Sequence, residues 1–261
     1  MKNNQLSKLI KFDTPTICNG LELINSKYKL RGYSKDKFFC LNPKIKPMVG
    51  YAKTAKISSV KHNIKTKSSI RIDYYEYVNE GNFPKISVVQ DQYKNPIGSF
   101  WGEVNANIHK KLGCLGVVTN GSVRDLDVIP KNFQFLSKTL SPSHAEVSLI
   151  EFGLKVNVMG MEIEDNDLIH ADVHGAVTFS DKIIDELFVA INSLGIDVLK
   201  IIALLLNKDS NFFEPWVAKG NSLLRLIHYP PVTSEANNLR ARAHEDINLI
   251  TLLVGAEESG L

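Results

Sequence analysis

Cysteine is scarce in this chain. Among 261 residues there are three, Cys18, Cys40 and Cys114, far apart and without a Cys-x-x-Cys pair. That pattern excludes a disulfide framework and a thiolate metal site, and each cysteine reads as a small buried apolar residue. Long apolar runs are also missing. The longest, around 198–206, contains Lys200 and falls short of the roughly 20 residues that span a bilayer. The opening residues, MKNNQLSKLIKFD, have neither the apolar stretch nor the small-residue cleavage site of a secretion signal. These absences predict a cytoplasmic protein with no membrane association. There is no internal repeat, no low-complexity tract, and no glycine-rich strand-turn-helix loop of the kind that binds S-adenosylmethionine.

Charge of one sign is scarce locally. Residues 1–67 hold 15 Lys+Arg against 3 Asp+Glu, and the remainder holds 16 against 25, for a net of +3. A basic third can signal nucleic acid. Here the lysines are scattered among Leu, Ile, Val and Phe without the interleaved aromatics of a single-strand-binding surface. They read as solvated lysines, or as an attraction for small anions, and no nucleic-acid partner is expected.

What is present is a globular composition, 44% hydrophobic, in a chain long enough to bury a sizeable core. Residues 5–30 read as one or two short helices around Thr14-Pro15, with Thr14 as a cap and Pro15 in the first turn. Residues 48–60 and 85–91 are small, apolar and β-branched, and read as strands. A turn at 93–98 follows. In WGEVNANIHKKLG (101–113), Val104, Ile108 and Leu112 recur every four residues, which predicts an amphipathic helix stopped by Gly113. GVV (116–118) reads as a strand and NGSVRD (120–125) as the loop after it. Residues 156–163 and 175–179 read as strands on either side of an acidic turn. The alternation gives an α/β class.

Loops at strand ends in α/β sheets bind ligands, so Arg124 and Asp125 stand out. Arg124 can grip a carboxylate in a bidentate fork, and Asp125 is a hard oxygen ligand for Mg2+ or Mn2+. The ordinary reading of such a dipeptide is a surface ion pair. His170, Asp172 and His174 alternate, and could share one strand face as a metal cluster. Structural hydrogen bonding, or a substrate-side or interface role, are the other readings. His109 and His144 read as surface or interface residues.

The segment GSFWGEVNANIHKKLGCLGVVTNGSVRDLD resembles the 4-hydroxy-4-methyl-2-oxoglutarate aldolase family, which includes the regulator of ribonuclease activity A. A glycine-led loop is followed 22 positions later by an Arg-Asp pair, here Gly102 and Arg124. TPTICNGLEL, GYAKTAK and VNVMGMEIEDNDLIHADVHGAV extend the likeness over residues 5–185. The resemblance implies a compact RraA-like swivelling β/β/α domain, assembling as a homotrimer or hexamer. It implies that Gly102, Glu103, Val104 and Asn105 offer backbone amides to substrate carboxylates, and that Arg124 binds substrate. Asp125 would be the one direct protein ligand of Mg2+ or Mn2+. The implied chemistry is cleavage of a small oxo acid to pyruvate, with oxaloacetate decarboxylation alongside, and with Arg124 and Asp125 as the catalytic pair. Two departures stand out. EVNANIHKK replaces the usual small or apolar residues after the glycine, which should alter substrate preference. Asp165-Asn166 replaces Pro-Gly, tolerable because Asn takes turn conformations.

The texture changes near residue 181, where a long helical stretch begins. Residues 186–261 resemble a piece of the isopenicillin N synthase-like iron/2-oxoglutarate oxygenases. NSLLRLIHYPP and RARAHEDINLITLLV read as two strands of an incomplete jelly-roll. His244 and Asp246 match the first two ligands of that family's iron triad. No His or Arg follows Asp246, so Fe2+ binding and oxygenase activity are not expected, and this part reads as a truncated, vestigial dioxygenase fragment. The expected organisation is therefore a lyase domain at 1–185 and an oxygenase-like segment at 186–261. Two further functions remain open: a non-catalytic regulator that binds a protein partner, and the iron oxygenase with its third ligand missing.

Overall fold

The computed structural model describes residues 2–60 and 67–217. The chain divides into two compact units, Met1–Leu194 and Gly195–Leu261. In the first, helices α1 (Lys2–Leu9) and α2 (Thr14–Ile24) lead into strands β1 (Phe39–Cys40) and β2 (Met48–Ser58), helix α3 (Ile70–Asn79) and strand β3 (Lys85–Asp91). Then come β4 (Ser99–Trp101), helix α4 (Glu103–Lys111), β5 (Cys114–Val123), β6 (Gln134–Leu140) and β7 (Ser148–Phe152). The strands β8 (Val156–Val158), β9 (Met161–Ile163), β10 (Leu168–Asp172) and β11 (Gly175–Phe179) complete the unit, and helix α5 (Ile184–Leu205) follows.

Nine strands form one mixed sheet, ordered β1-β6-β5-β3-β2-β10-β11, with β4 paired to β5 and β7 to β2. β8 and β9 form a separate hairpin. The central neighbours β6, β5, β3 and β2 are parallel, so their carboxyl ends gather on one side. Parallel pairs need crossovers, which is why helices sit between these strands. Side chains alternate across the sheet. Val88 and Val118 join the core with Met48, Ile169 and the β8–β9 hairpin. Val89 and Val117 point the other way, to Tyr74, Trp101, Phe133 and Phe135. A third cluster places α1, α2 and the start of α5 against β2, β10 and β11 through Leu9, Leu21, Tyr51, Phe179 and Leu187.

Several sequence expectations shift. Asp13, not Thr14, caps α2, with its carboxylate accepting from Thr16 N. Residues 120–123 belong to strand β5 rather than to a loop. The acidic turn is shorter than expected because 168–172 is strand, and Asn166 takes φ +63° as anticipated. On α4 the buried residues are Ala106 and His109, while Val104 is 70% exposed.

In the second unit, Leu199, Ala203 and Phe213 form a small cluster beside the short helix α6 (Glu214–Val217). The stretch Asp181–Leu205 reaches a mean hydropathy of 2.0, long and apolar enough by composition to cross a bilayer. Counting uninterrupted apolar residues missed this, because Asp197 and Lys200 break the run; they pair with each other at 3.2 Å. At its near end, Ile184 and Leu187 are core residues of the first unit. The two strands expected in the tail, with His244 and Asp246, lie outside the described residues.

Candidate functional site

β4 runs parallel to β5, pairing Ser99 with Ser122 and Trp101 with Val123. The turn into α4 and the exit of β5 therefore lie side by side. Much of the GVVTNGSV sequence is spent on holding them. Thr119 Oγ1 donates to Val89 O at 2.6 Å and accepts from Gly121 N at 2.9 Å. The Asn120 amide clamps both backbone groups of Asp91, at 2.7 and 2.8 Å. Ser122 Oγ donates to Gly98 O at 2.8 Å. These polar side chains satisfy backbone groups where the parallel ladder opens.

The strand then delivers Arg124, whose N–H bonds Trp101 O at 3.0 Å, and Asp125. Gly102, the N-cap of α4, is extended at φ −170°. It must be glycine for space, not conformation, since a Cβ there would stand 2.4 Å from Asp125 Oδ2. Asp125 itself sits in the left-handed region, φ 58° and ψ 40°, which short polar residues tolerate better than others. Its Oδ2 accepts from Glu103 N at 3.3 Å and meets Arg124 Nε at 3.4 Å. Oδ1 has no protein partner among the described residues. The pair is about one-third exposed, so as an ion pair it adds little stability.

Arg124, Asp125, Gly102, Val104 and Asn105 line one cleft of about 370 Å3. Glu103 contributes its amide to Asp125 rather than its side chain. The Asn105 side chain is committed to structure: its amide nitrogen donates to Phe100 O at 2.5 Å, and its Oδ1 accepts from Tyr75 OH at 3.0 Å. Two ionisable side chains that the sequence did not assign to the cleft also line it: Arg71 of α3, and His144 from the loop between β6 and β7. His144 Nδ1 lies 2.7 Å from its neighbour's carbonyl, Ala145 O. Nδ1 thus carries the hydrogen, leaving Nε2 as the acceptor. Both residues are distant in sequence from Arg124, and no local pattern marks them.

His109 is the opposite of a surface residue. It is fully buried, with Nδ1 2.7 Å from Asn105 O and Nε2 2.9 Å from Tyr74 OH. Burial pushes its imidazole from 6.5 down to about 4. The neutral ring donates from Nδ1 and accepts the Tyr74 hydroxyl at Nε2. His170, Asp172 and His174 are tied into the hydrogen bonding of the fold. His170 bonds Thr14 Oγ1 at 3.0 Å and faces the carbonyls of Leu9 and Phe12. Asp172 Oδ2 accepts from Thr14 N at 2.8 Å, and Oδ1 accepts from His174 N at 2.8 Å. Among the described residues no group of three His, Cys, Asp or Glu is arranged to hold a metal. Cys114 is buried, and Cys18 and Cys40 are half-buried.

The fold and cleft define an α/β protein with a cationic side chain and an open carboxylate oxygen at the carboxyl ends of parallel strands. The profile of the RraA-like family, Aldolase/RraA, matches residues 14–178, and the chain belongs to that family. Among solved structures it is similar to Streptomyces coelicolor RraAS2, described as an unusual member of the RNase ES inhibitor RraA protein family. That match is 18% identical with a TM-score of 0.58, covering 73% of this chain and 90% of the other. An uncharacterized protein from Pseudomonas syringae pv. tomato matches at 18% identity and a TM-score of 0.59, covering 82% and 94%. At such identities the likeness is one of fold. A different relative appears among curated proteins, the 2-oxoglutarate-Fe(II) type oxidoreductase hxnY of Emericella nidulans. It is 35% identical over 79 residues, 29% of this chain. The chain spans 23% of the length of that relative. Both resemblances read from the sequence therefore stand.

Proposed function

We propose that the protein is a divalent-metal-dependent carbon–carbon lyase. It would act on 4-hydroxy-4-methyl-2-oxoglutarate-type oxo acids to release pyruvate, and decarboxylate oxaloacetate as a related reaction. The observation that carries this reading is Asp125, held in a left-handed conformation against Gly102 with Oδ1 open. One carboxylate without neighbouring protein ligands suits Mg2+ or Mn2+, which accept water and substrate oxygens for the rest of the shell. It does not suit zinc, which takes three or four protein ligands. Asp125 would hold the cation, which when bound spreads the negative charge that develops on the oxo acid as the carbon–carbon bond breaks.

The chain's own groups do the rest. Arg124 fixes a substrate carboxylate and stands where negative charge grows. The amides at the start of α4 add the positive end of a helix. His144 can accept a proton at Nε2 and pass it to the carbon left by cleavage. Work in the cytoplasm as a homotrimer or hexamer is part of the same reading, and rests on the family.

The test is pyruvate release from oxaloacetate and from 4-hydroxy-4-methyl-2-oxoglutarate by the purified chain. Turnover that appears with Mg2+ or Mn2+ and disappears with chelator is expected. No metal-dependent pyruvate from either acid would sink the lyase reading in favour of the non-catalytic, partner-binding one.

A further inference from the structure

The cleft holds two guanidinium groups, and they are placed differently. Arg124 is paired with Asp125 at 3.4 Å. No carboxylate pairs with Arg71, and no hydrogen bond fixes it, among the described residues. Its backbone is nevertheless held. Arg71, Tyr74 and Tyr75 stand at i, i+3 and i+4 on α3 and share a face. Tyr74 is fully buried, with its hydroxyl 2.9 Å from His109 Nε2 and 3.2 Å from Ser87 Oγ. Tyr75 OH donates to Asn105 Oδ1 at 3.0 Å. Both partners, His109 and Asn105, lie on α4. The two tyrosines thus fasten α3 to the helix whose start forms the site, and Arg71, one turn earlier on that face, reaches the cleft wall.

We propose that Arg71 binds the second, distal carboxylate of the substrate and makes the site selective for dicarboxylic over monocarboxylic 2-oxo acids. The inference rests on the lyase reading for the placement of the 2-oxo acid end at Asp125 and Arg124. A guanidinium meets a carboxylate through two parallel N–H bonds. It gains nothing from a methyl group at the same place. Arg71 is exposed, so solvent screens the contact and the selectivity is modest in size.

Binding measurements separate this from catalysis. The full chain in iron-free buffer with Mg2+ is titrated calorimetrically with 2-oxoglutarate and with 2-oxopentanoate, which has the same length and one carboxylate fewer. The diacid should bind about tenfold tighter, the discrimination of one partly screened charge-assisted contact. Arg71→Gln should weaken 2-oxoglutarate by about the same factor and leave 2-oxopentanoate within about twofold. Arg71→Lys should restore part of the preference, because charge returns without the fork. Equal affinity of the unsubstituted chain for both acids, equal weakening of both by Arg71→Gln, or binding of neither overturns the proposal. Thermal melts of the variants exclude loss of folding. A chain that shows the preference but releases no pyruvate keeps the selectivity and loses the lyase reading.

Discussion

Two groups of ionisable residues in this chain look alike on paper and are opposites in space. Arg124-Asp125 and His170-Asp172-His174 both contain an acid beside a cation or a histidine. In the second, every carboxylate oxygen of Asp172 is occupied by Thr14 N or by His174, and His170 is enclosed by helix-end carbonyls. In the first, one carboxylate oxygen carries both contacts, and the other has no partner among the described residues of a side chain that lines a cleft. What separates a candidate site from a structural joint is unfilled hydrogen-bonding capacity facing space. Residue type does not tell them apart. The joint has its own use: it ties the end of α1, Phe12 and the start of α2 to strand β10.

The comparison can be broken by substitution. Asp125→Ala should give the largest effect. It removes the one protein ligand proposed for the cation, and metal-dependent pyruvate release should fall by about 1,000-fold or more, on the scale of removing a main electrostatic stabiliser. Unchanged Mg2+ dependence in that variant would end the assignment. Arg124→Lys keeps charge and loses the planar fork. A cost of about 2–4 kcal/mol is expected for losing a bidentate contact that substrate partly desolvates, or roughly 30- to 1,000-fold in kcat/KM at about 1.4 kcal/mol per decade. A change below about threefold would remove Arg124 from the site.

Acid should act through the buried histidines instead. The unfolded chain protonates His109 near 6.5, and the folded chain refuses that proton until about 4. Stability from this group is full above pH 6.5 and declines as pH falls towards 4. The loss is about 3 kcal/mol at about 1.4 kcal/mol per unit. Burial lowers His170 in the same direction, which adds to the slope. Denaturant unfolding of His109→Gln across that window should show a shallower dependence than the parent; an identical slope would place the acid sensitivity elsewhere.

Asp172→Asn should give the smallest effect and sharpen the contrast. It puts an amide where buried donors expect two acceptors, and should cost about 1–3 kcal/mol of stability. kcat/KM at 25 °C should stay within about twofold. A large loss of turnover in a folded Asp172→Asn protein would make the joint a second functional site.

Much was legible in the sequence. Gly102 and the Arg124-Asp125 pair were marked by the likeness to the family, and β2, β3 and β11 by apolar, β-branched runs whose residues the sheet buries on both faces. The α4 helix was found, but its buried face was misjudged. Val104 looks like a core residue by period, yet it sits at the cleft mouth, and polar His109 fills the core because Tyr74 and the Asn105 carbonyl satisfy both its nitrogens. A periodicity argument counts apolar side chains and cannot see such partners, which arrive from another helix.

By itself the sequence determined the α/β class, because strand and helix patterns are local properties, and through its likeness to known chains it determined the family and the motif that carries an acid and an arginine to a strand end. Tertiary structure alone decided which ionisable groups remain available. Arg71 and His144 reach the cleft, and His170 and Asp172 vanish into the core, because packing brings together residues separated by dozens of positions. Burial and the supply of hydrogen-bond partners, which fix charge state and openness, exist only once those segments have met.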